Sequence, residues 1–533
     1  MTGAHGEQDV ATDGTAAAGA RSRRTLVGRV VGELSLWSPR TVFWASFVGF
    51  LALTGAWSVA SPLSSGPDEP THLTKAAAVV RGQFIGHQER PGYFIVQLPS
   101  LYDAIDELPA CYNFTPAIPA SCSNLPRGEL SAEAPSDHTA GSYNPVYYAV
   151  VGIVTLGPDR VSILYATRVA SAMLVSLALA LAMRSAAETT RPGWALAGTF
   201  LGVTPMVAFL GGVVNPNSIE VAAGLGLWAT LGVVVLAPRD DLLARRMLRA
   251  GVLVVLLANA KPLSLLMLAV VVLACVAAAP WRRTWAVLRD RRAWPGLALG
   301  TVGVALALAW LAWVRRLASA PEVLHPELTP PVAAEIVLRE TSDYLTNMLG
   351  QFGWVDTDLP VWLYVLLGGT VLVALLLAAA VGDRRQRAVL AGTAALLVAL
   401  PLVLQVPTAT VSGIPWQGRY LLAIAVGLPV LAGLVVATRA PAGADGVLRP
   451  LAALCTGIWA AGHVLAFGLA LRRYMVGISH PYFEVAGSPW RPPYVPWQSL
   501  FALCVLGACV LAVVVVRAGR TTRDVPDAPG TSA

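Results

Sequence analysis

Twelve long apolar runs constrain this chain more than any other feature of its sequence. A helix needs roughly 20 apolar residues to cross a bilayer, and most of the runs come near that length. They cover residues 41–60, 161–183, 193–213, 217–237, 243–260, 262–279, 294–314, 361–381, 388–405, 419–437, 450–471 and 498–516. Hydrophobic residues make up 56% of the 533 residues and charged residues only 13%, so an ordinary soluble enzyme is excluded. The pattern predicts an all-α polytopic membrane protein with about 12 transmembrane helices.

The basic loops between these runs predict how the helices are oriented. The arginines of 239–249, 282–292, 384–387 and the tail from 517 should face the cytoplasm. The acidic loop 315–360 can then lie outside, together with the large polar loop 61–142 that follows the first run. With twelve spans every assignment is satisfied, which predicts a multi-pass plasma-membrane protein with both termini in the cytoplasm. The net charge of +7 therefore gives no indication of a nucleic-acid partner.

One further apolar run, 143–157, is shorter than the roughly 20 residues that a span requires. If it crossed the membrane, the basic loop 239–249 would move to the outer side. The sequence therefore predicts an interfacial or re-entrant helix on the outer face.

Two of the six cysteines, Cys111 and Cys122, lie in the polar loop 61–142, with prolines between them. A disulfide bond between them is expected if that loop is extracytoplasmic. The other four cysteines lie in apolar runs and are typical of small core residues.

The sharpest local motif comes a few residues after the first apolar run. Pro67 and Pro70 enclose Asp68 and Glu69, and a helix is predicted over 70–82, with His72 and Lys75 on one face. Two adjacent carboxylates near a membrane surface favour a general base with a second carboxylate that binds or orients. The alternative is an acidic turn that caps the helix.

Two other motifs lie near the predicted outer face. Tyr147 and Tyr148 follow Asn144-Pro145, and indicate either a surface for lipid or sugar or an aromatic belt at the interface. Asn215 and Asn217 enclose a proline in a turn, and Glu220 lies one turn inside the following run. An acid at that depth usually faces a polar cavity and needs a partner.

The last two motifs place cations at the predicted outer face. Lys261, at the tip of a tight hairpin of runs, could bind phosphate or could extend to the interface. Gln417, Arg419 and Tyr420 lie where the run 419–437 begins. An arginine at the outer end of a span opposes the positive-inside trend, which favours a bound anion such as phosphate.

Taken in order, these motifs resemble an uncharacterised bacterial family of multi-spanning membrane proteins grouped with the GT-C glycosyltransferases. The resemblance covers roughly residues 40–440. It is carried by Pro67-Asp68-Glu69 with His72, Asn144-Pro145 with Tyr147 and Tyr148, Asn215-Pro216-Asn217, Lys261-Pro262, and Gln417-Gly418-Arg419-Tyr420. The chain has Asn217 where an aspartate is expected, and no motif after about residue 440 matches.

The resemblance implies a fold and a reaction. GT-C enzymes take a sugar from a polyprenyl-phosphate donor, and their active site lies on the outer face under the first large loop. An acidic residue there deprotonates the acceptor hydroxyl and the sugar inverts. Carried over, Asp68 is the candidate base and Glu69 its neighbour, or the reverse. The acceptor would be a glycan, lipid or protein of the cell envelope, and a divalent metal cofactor stays open because members differ.

Composition, the apolar runs and the resemblance together predict a division of the chain. Residues 1–35 are expected to form a disordered basic cytoplasmic tail, and 36–440 a GT-C-like transmembrane module with the extracytoplasmic loop 61–142. Residues 441–516 add C-terminal transmembrane helices, and 517–533 form a second cytoplasmic tail.

Two other classes of function account for part of the sequence. A transporter or flippase of a lipid-linked saccharide fits the number of spans and Glu220, but not the large first loop. A non-catalytic membrane scaffold fits the presence of Asn217 in place of an acid.

Overall fold

The computed structural model describes residues 2–3, 37–90, 92–316, 323–481, 485 and 487–520. Within these residues, nine helices are long and apolar enough to cross a membrane, or up to eleven if two bent pairs are each counted as one span. The prediction of an all-α polytopic membrane protein is therefore confirmed. The predicted tail 1–35 lies almost wholly outside the described residues, as does most of 517–533.

The described chain consists of helices, and two of the polar loops between them contain short strands. The first half of the chain contains α1 (Pro39–Ala60), α2 (Glu69–Val80), α3 (Pro145–Gly152), α4 (Val161–Ala186), α5 (Pro192–Leu201), α6 (Pro205–Gly211), α7 (Pro216–Leu236), α8 (Leu243–Ala258), α9 (Ser264–Ala277) and α10 (Trp281–Arg289). The second half contains α11 (Trp294–Arg315), α12 (Pro330–Arg339), α13 (Thr341–Gly350), α14 (Val361–Val381), α15 (Arg384–Gln405), α16 (Ala409–Ser412), α17 (Leu422–Ala425), α18 (Gly427–Arg439), α19 (Asp445–Val476) and α20 (Trp497–Ala518).

All twelve predicted runs are helical, but four of them do not form single long helices. The run 419–437 begins in a 3-10 turn over Gly418–Leu421 and is then divided into α17 and α18. The run 193–213 is divided into α5 and α6, which meet at 66° where Thr204 caps a new helix that starts with Pro205. The run 262–279 forms α9, after which α10 departs at 111°. The run 243–260 forms only the 16 residues of α8. By length and composition, the described residues thus contain nine to eleven such helices, against a predicted number of about 12.

The short run 143–157 forms α3, which continues as a 3-10 turn over Ile153–Leu156. Asn144 caps its start by accepting a hydrogen bond from the backbone N–H of Val146 at 3.0 Å. Eight α-helical residues are far fewer than a span requires, so this segment is not counted among the spans.

The first polar loop contains a helix, a small sheet and a disulfide bond. After α2, strands β1 (His87–Arg90), β2 (Tyr93–Pro99) and β3 (Glu133–His138) pair in that order, all antiparallel. A disulfide bond joins Cys111 to Cys122 between the second and third strands. This sheet was not predicted from the sequence.

The second polar loop, described from residue 323, also has its own structure. It contains α12, α13 and the short antiparallel pair of β4 (Gln351–Phe352) and β5 (Thr357–Asp358). Helix α13 packs against the turn Gly418–Leu421. That contact requires glycine at position 418, because an added Cβ would lie 1.9 Å from the carbonyl oxygen of Tyr344.

Burial separates central spans from peripheral ones. In α7 and in the span Gly418–Arg439, 89% of the most apolar 18-residue window is buried inside the protein. The corresponding fractions are 17% for the span that contains α11 and 22% for α14. The motifs on α7 and at Gly418 therefore belong to the centre of the bundle.

The C-terminal helices are tied to the first loop through a buried arginine. On α19, Arg473 donates to the carbonyl oxygens of Tyr112 at 2.7 Å and Ile118 at 2.8 Å, both within the disulfide-bonded segment. It also pairs with Asp356 at 2.9 Å. The region after residue 440, where no family motif matches, therefore braces both polar loops.

Candidate functional site

The segment that leads from α1 into α2 exposes one side chain. Every residue from 61 to 70 is buried except Asp68, whose side chain is 48% exposed. Asp68 precedes the first residue of α2 and has a left-handed backbone with φ of 60°. Aspartate is one of the few residues that tolerate this conformation, which here turns its carboxylate away from the buried segment.

The adjacent carboxylate, Glu69, is fully buried and held by Arg168 of α4. Two hydrogen bonds join them, from Nε to Oε1 at 2.6 Å and from Nη2 to Oε2 at 2.5 Å. Glu69 Oε1 also accepts the backbone N–H of Val214 at 3.1 Å. Arg168 donates as well to the carbonyl oxygens of Ser58, Ser61 and Pro62. Through these bonds the Glu69–Arg168 pair joins α2 and α4 to the end of α1.

Asp68 pairs instead with Arg419, at 2.7 Å between Oδ2 and Nη2. Arg419 is only 1% exposed, and its backbone N–H donates to Asn347 Oδ1 at 2.8 Å. Its Nε and Nη1 atoms are buried and have no hydrogen-bond partner among the described residues. Buried donors are normally satisfied, so these two N–H groups are available to an anion.

A second cation, Lys261, lies beside the Asp68–Arg419 pair. Its charge is neutralised by Glu220. Its Nζ atom is 2.8 Å from Glu220 Oε2, donates to Asn217 Oδ1, and lies 4.9 Å from the ring centroid of Tyr420. Glu220 also accepts a hydrogen bond from Ser264 at 2.7 Å. The intramembrane acid predicted to need a partner is thus placed against the predicted cation, and Asn217 contributes the oxygen that holds Lys261.

Two asparagines connect the motifs into one framework. Asn215 caps α7 and donates to the carbonyl oxygen of Pro67 at 2.9 Å, and its Oδ1 accepts from the backbone and side chain of Asn217. Asn144 donates to Asn259 Oδ1 at 2.9 Å. The loop before α2, the start of α3, the start of α7 and the α8–α9 turn therefore meet at one place.

The aromatic motif supports His72 from the other side. The hydroxyl of Tyr148 is 2.9 Å from His72 Nδ1, and Tyr147 is hydrogen-bonded to Ser171 at 2.8 Å. Burial lowers the pKa of His72 to about 3; Asp68 opposes that shift, while Arg419 and Lys261 add to it. His72 is therefore a neutral imidazole near neutral pH, within the electrostatic reach of all three charged groups.

Lys75 lies apart from this cluster despite its position on the same helix face as His72. It is fully buried and donates to the carbonyl oxygens of Phe84 and Gly141, with the Trp310 ring centroid at 5.9 Å. No carboxylate among the described residues forms an ion pair with it. Burial lowers the pKa of its amine to about 7.

The stability of the protein is expected to depend on the protonation of Lys75. Between about pH 7 and about pH 10.5 the unfolded lysine keeps its proton while the buried amine has lost it. The free energy of unfolding should then rise with pH, by at most about 1.4 kcal/mol per unit from this group. The measurement is the melting temperature of wild type minus that of Lys75→Met across this window. A difference that stays constant with pH contradicts the expectation.

The predicted site residues thus fall into two groups. Asp68, Glu69, His72, Tyr147, Tyr148, Asn215, Asn217, Glu220, Lys261, Arg419 and Tyr420 come together around the start of α2, with Gln417 at the edge. Lys75 binds the loop instead. Sequence reasoning missed Arg168 and Asn347. Arg168 carried a signal, since a charge inside the apolar run 161–183 requires a partner.

Among the described residues, no group of three or more His, Cys, Asp or Glu side chains is placed to hold a metal ion. The cluster consists of three acid–base pairs, Glu69–Arg168, Asp68–Arg419 and Glu220–Lys261. Three of its groups are free to react or bind: the half-exposed Asp68 carboxylate, the unpartnered Nε and Nη1 donors of Arg419, and the neutral imidazole of His72.

The fold and this cluster define a polytopic α-helical membrane protein with a buried polar site beneath its first large loop. The chain belongs to the family described as Predicted membrane protein (DUF2142), whose family model matches residues 51–428. All five motifs lie inside the matched region. No curated protein and no solved structure matches the chain.

Proposed function

We propose that the protein is a glycosyltransferase that moves a sugar from a polyprenyl-phosphate donor to a hydroxyl group of a cell-envelope acceptor. The observation that carries this proposal is the Asp68–Arg419 pair, which combines a half-exposed carboxylate with a buried guanidinium that has two donors to spare. The proposal assigns the site and the reaction to the extracytoplasmic face of the plasma membrane, because the positive-inside rule puts the basic loops on the opposite face.

Asp68 is suited to act as the base. The acceptor oxygen attacks the anomeric carbon, its proton passes to the Asp68 carboxylate, and the bond from the sugar to the phosphate oxygen breaks. The configuration at the anomeric carbon inverts, and polyprenyl phosphate leaves with the electrons of the broken bond. A hydroxyl is a weak nucleophile, so a positioned base is needed, and Asp68 is the carboxylate of the cluster that solvent and substrate can reach.

Arg419 is suited to hold the donor phosphate. Lys261 already has Glu220 as its counter-charge, and Arg168 has Glu69. Arg419 alone of these three cations keeps unpartnered donors, at Nε and Nη1. Charge-assisted hydrogen bonds from a guanidinium to phosphate are strong, and the charge that develops on the leaving phosphate strengthens that contact.

Glu69 is a positioning residue in this proposal. Its contacts with Arg168 and Val214 hold the start of α2, and the backbone at Asp68 depends on that anchor. His72 is neutral and lies close to Asp68 and Arg419, so it can donate or accept a hydrogen bond from the sugar without adding charge.

The proposal is tested by incubating purified protein with a panel of polyprenyl-phosphate sugars, each labelled in the sugar. The measurements are donor binding and transfer of label from the lipid, with and without cell-envelope acceptors. Arg419→Gln should lose donor binding, because it removes the phosphate contact. The matched control is Arg339→Gln, which removes a guanidinium that is 78% exposed on α12.

Transfer of label by wild type and by the Arg339 variant, with loss of binding by the Arg419 variant, supports the proposal. Tight binding of lipid-linked sugars without transfer to any acceptor would indicate a flippase. Absence of binding across the panel would indicate a scaffold.

A further inference from the structure

Helix α10 exposes a band of large apolar side chains on the face of the protein away from the candidate site. Trp281, Trp285 and Leu288 follow one another at spacings of four and three residues, so they share one helix face. Their exposed fractions are 60%, 44% and 39%. None of the nine residues of the helix is buried.

The opposite side of α10 faces the protein. Val287 packs against the small apolar cluster that includes Val234 and Met247. The tryptophan band points away from that contact, and no described part of the chain covers it. Exposed apolar patches of this kind mark an interaction surface.

The direction of α10 shows what surface it meets. Helix α9 starts beside Lys261 in the candidate site and runs to the opposite face, where α10 turns by 111° from it. Helix α9 packs against the spanning helix α7, and a helix that departs almost at right angles from this bundle runs along the membrane plane. Tryptophan is the residue most typical of that interfacial depth.

Arginines flank the apolar band and have no acidic partner. Arg282 and Arg289 lie about 100° and 80° around the helix from Trp281, and the Arg289 guanidinium is 4.7 Å from the Trp285 ring centroid. Neither of these arginines pairs with a carboxylate within the described ranges. The nearby Asp290 is already bound by Arg292 at 2.7 Å.

We propose that α10 is a membrane-surface helix that binds anionic phospholipids. The tryptophan band inserts among the upper acyl chains, and Arg282 and Arg289 bind the phosphates of the adjacent headgroups. A band with arginines at its edge is the arrangement found in amphipathic helices that lie in a lipid interface. The inference is independent of the catalytic proposal, because it concerns the other face of the membrane.

A neighbouring cavity of about 130 Å³ is a weaker place for the phosphate. It is lined by Arg239, Arg246 and Arg283, but Asp240 and Asp290 line it too. Arg246 also uses its donors on Glu188 and on two backbone carbonyl oxygens. The edge of the tryptophan band offers cations without carboxylates, so we assign the headgroups there.

The test compares phosphatidylglycerol with phosphatidylcholine of the same acyl chains, added to the full-length protein in detergent. Bound lipid is counted by native mass spectrometry over a titration. The variant is Arg282→Gln combined with Arg289→Gln. The matched control is Arg384→Gln combined with Arg387→Gln, which removes two exposed arginines from the first turn of α15 on the same face.

Wild type and the α15 control should bind phosphatidylglycerol more tightly than phosphatidylcholine. The α10 variant should bind phosphatidylglycerol roughly 30-fold more weakly than wild type, as expected for two lost arginines at a lipid surface. Unchanged affinity of the α10 variant would overturn the proposal. An equal loss in the α15 control would also overturn it, because the effect would then belong to the whole basic face.

Discussion

Asp68→Asn is expected to lower sugar transfer by roughly 10²- to 10⁴-fold, the usual contribution of a general base. The substitution suits the question because asparagine also tolerates the left-handed backbone that Asp68 adopts. It keeps an oxygen that can accept the Arg419 hydrogen bond and removes only the proton-accepting charge. Donor binding should therefore persist while turnover falls.

The matched control is Asp103→Asn, which neutralises an exposed aspartate in the same polar loop. It should transfer sugar at the wild-type rate. Turnover by Asp68→Asn within a few fold of wild type would remove Asp68 from the role of base. A loss that appears equally in donor binding would assign Asp68 to binding instead.

Glu69→Gln is expected to lower the free energy of unfolding by about 3–5 kcal/mol. Like Asp68→Asn, it replaces a carboxylate with an amide, but its main effect should be on stability. Both Glu69 and Arg168 are fully buried, so the substitution leaves the guanidinium charge without a counter-ion away from water. The Asp68 variant should lose much less stability, because the Asp68 carboxylate is half exposed and water can replace part of its interaction.

Two further variants isolate the cause of that loss. Glu335→Gln removes an exposed acid that pairs with Arg339, and surface pairs of this kind add little stability. Glu69→Gln combined with Arg168→Met removes both buried charges and should regain part of the lost stability. The measurement is the thermal unfolding midpoint in detergent. A double variant no more stable than the single one would contradict the buried-charge explanation.

Much of the fold could be predicted because long apolar runs leave a chain few alternatives in a membrane. The breaks were harder to foresee. Pro205 and Pro280 each begin or precede a new helix direction, yet Pro401 and Pro450 lie inside continuous helices. A proline therefore marks a place where a helix can end, and tertiary packing decides whether it does. In the sheet, β1 is short, polar and mostly exposed, without the alternation that signals a strand. The central strand β2 does alternate between buried and more exposed residues, and that signal was missed.

The sequence predicted which residues form the candidate site better than it predicted which of them pair with each other. Sequence reasoning named both members of the Asp68–Arg419 and Glu220–Lys261 pairs without assigning partners. It could not distinguish Asp68 from Glu69, because the distinction depends on the positive φ at Asp68, which packing around α2 determines. The position of Lys75 outside the cluster could not be predicted, because helical spacing gives a face shared with His72 but not the loop that folds over Lys75.

The Glu69–Arg168 pair also has a consequence for biogenesis. The two residues are 99 positions apart, so the ribosome needs about 5–20 seconds to make the second after the first. During that interval α1 has been made but the residues that pack its end have not, and α2 has no anchor. The first loop can take its final position only after α4 enters the membrane. The candidate site can therefore fold only after α4 has been synthesised, although α4 supplies no group to the proposed reaction.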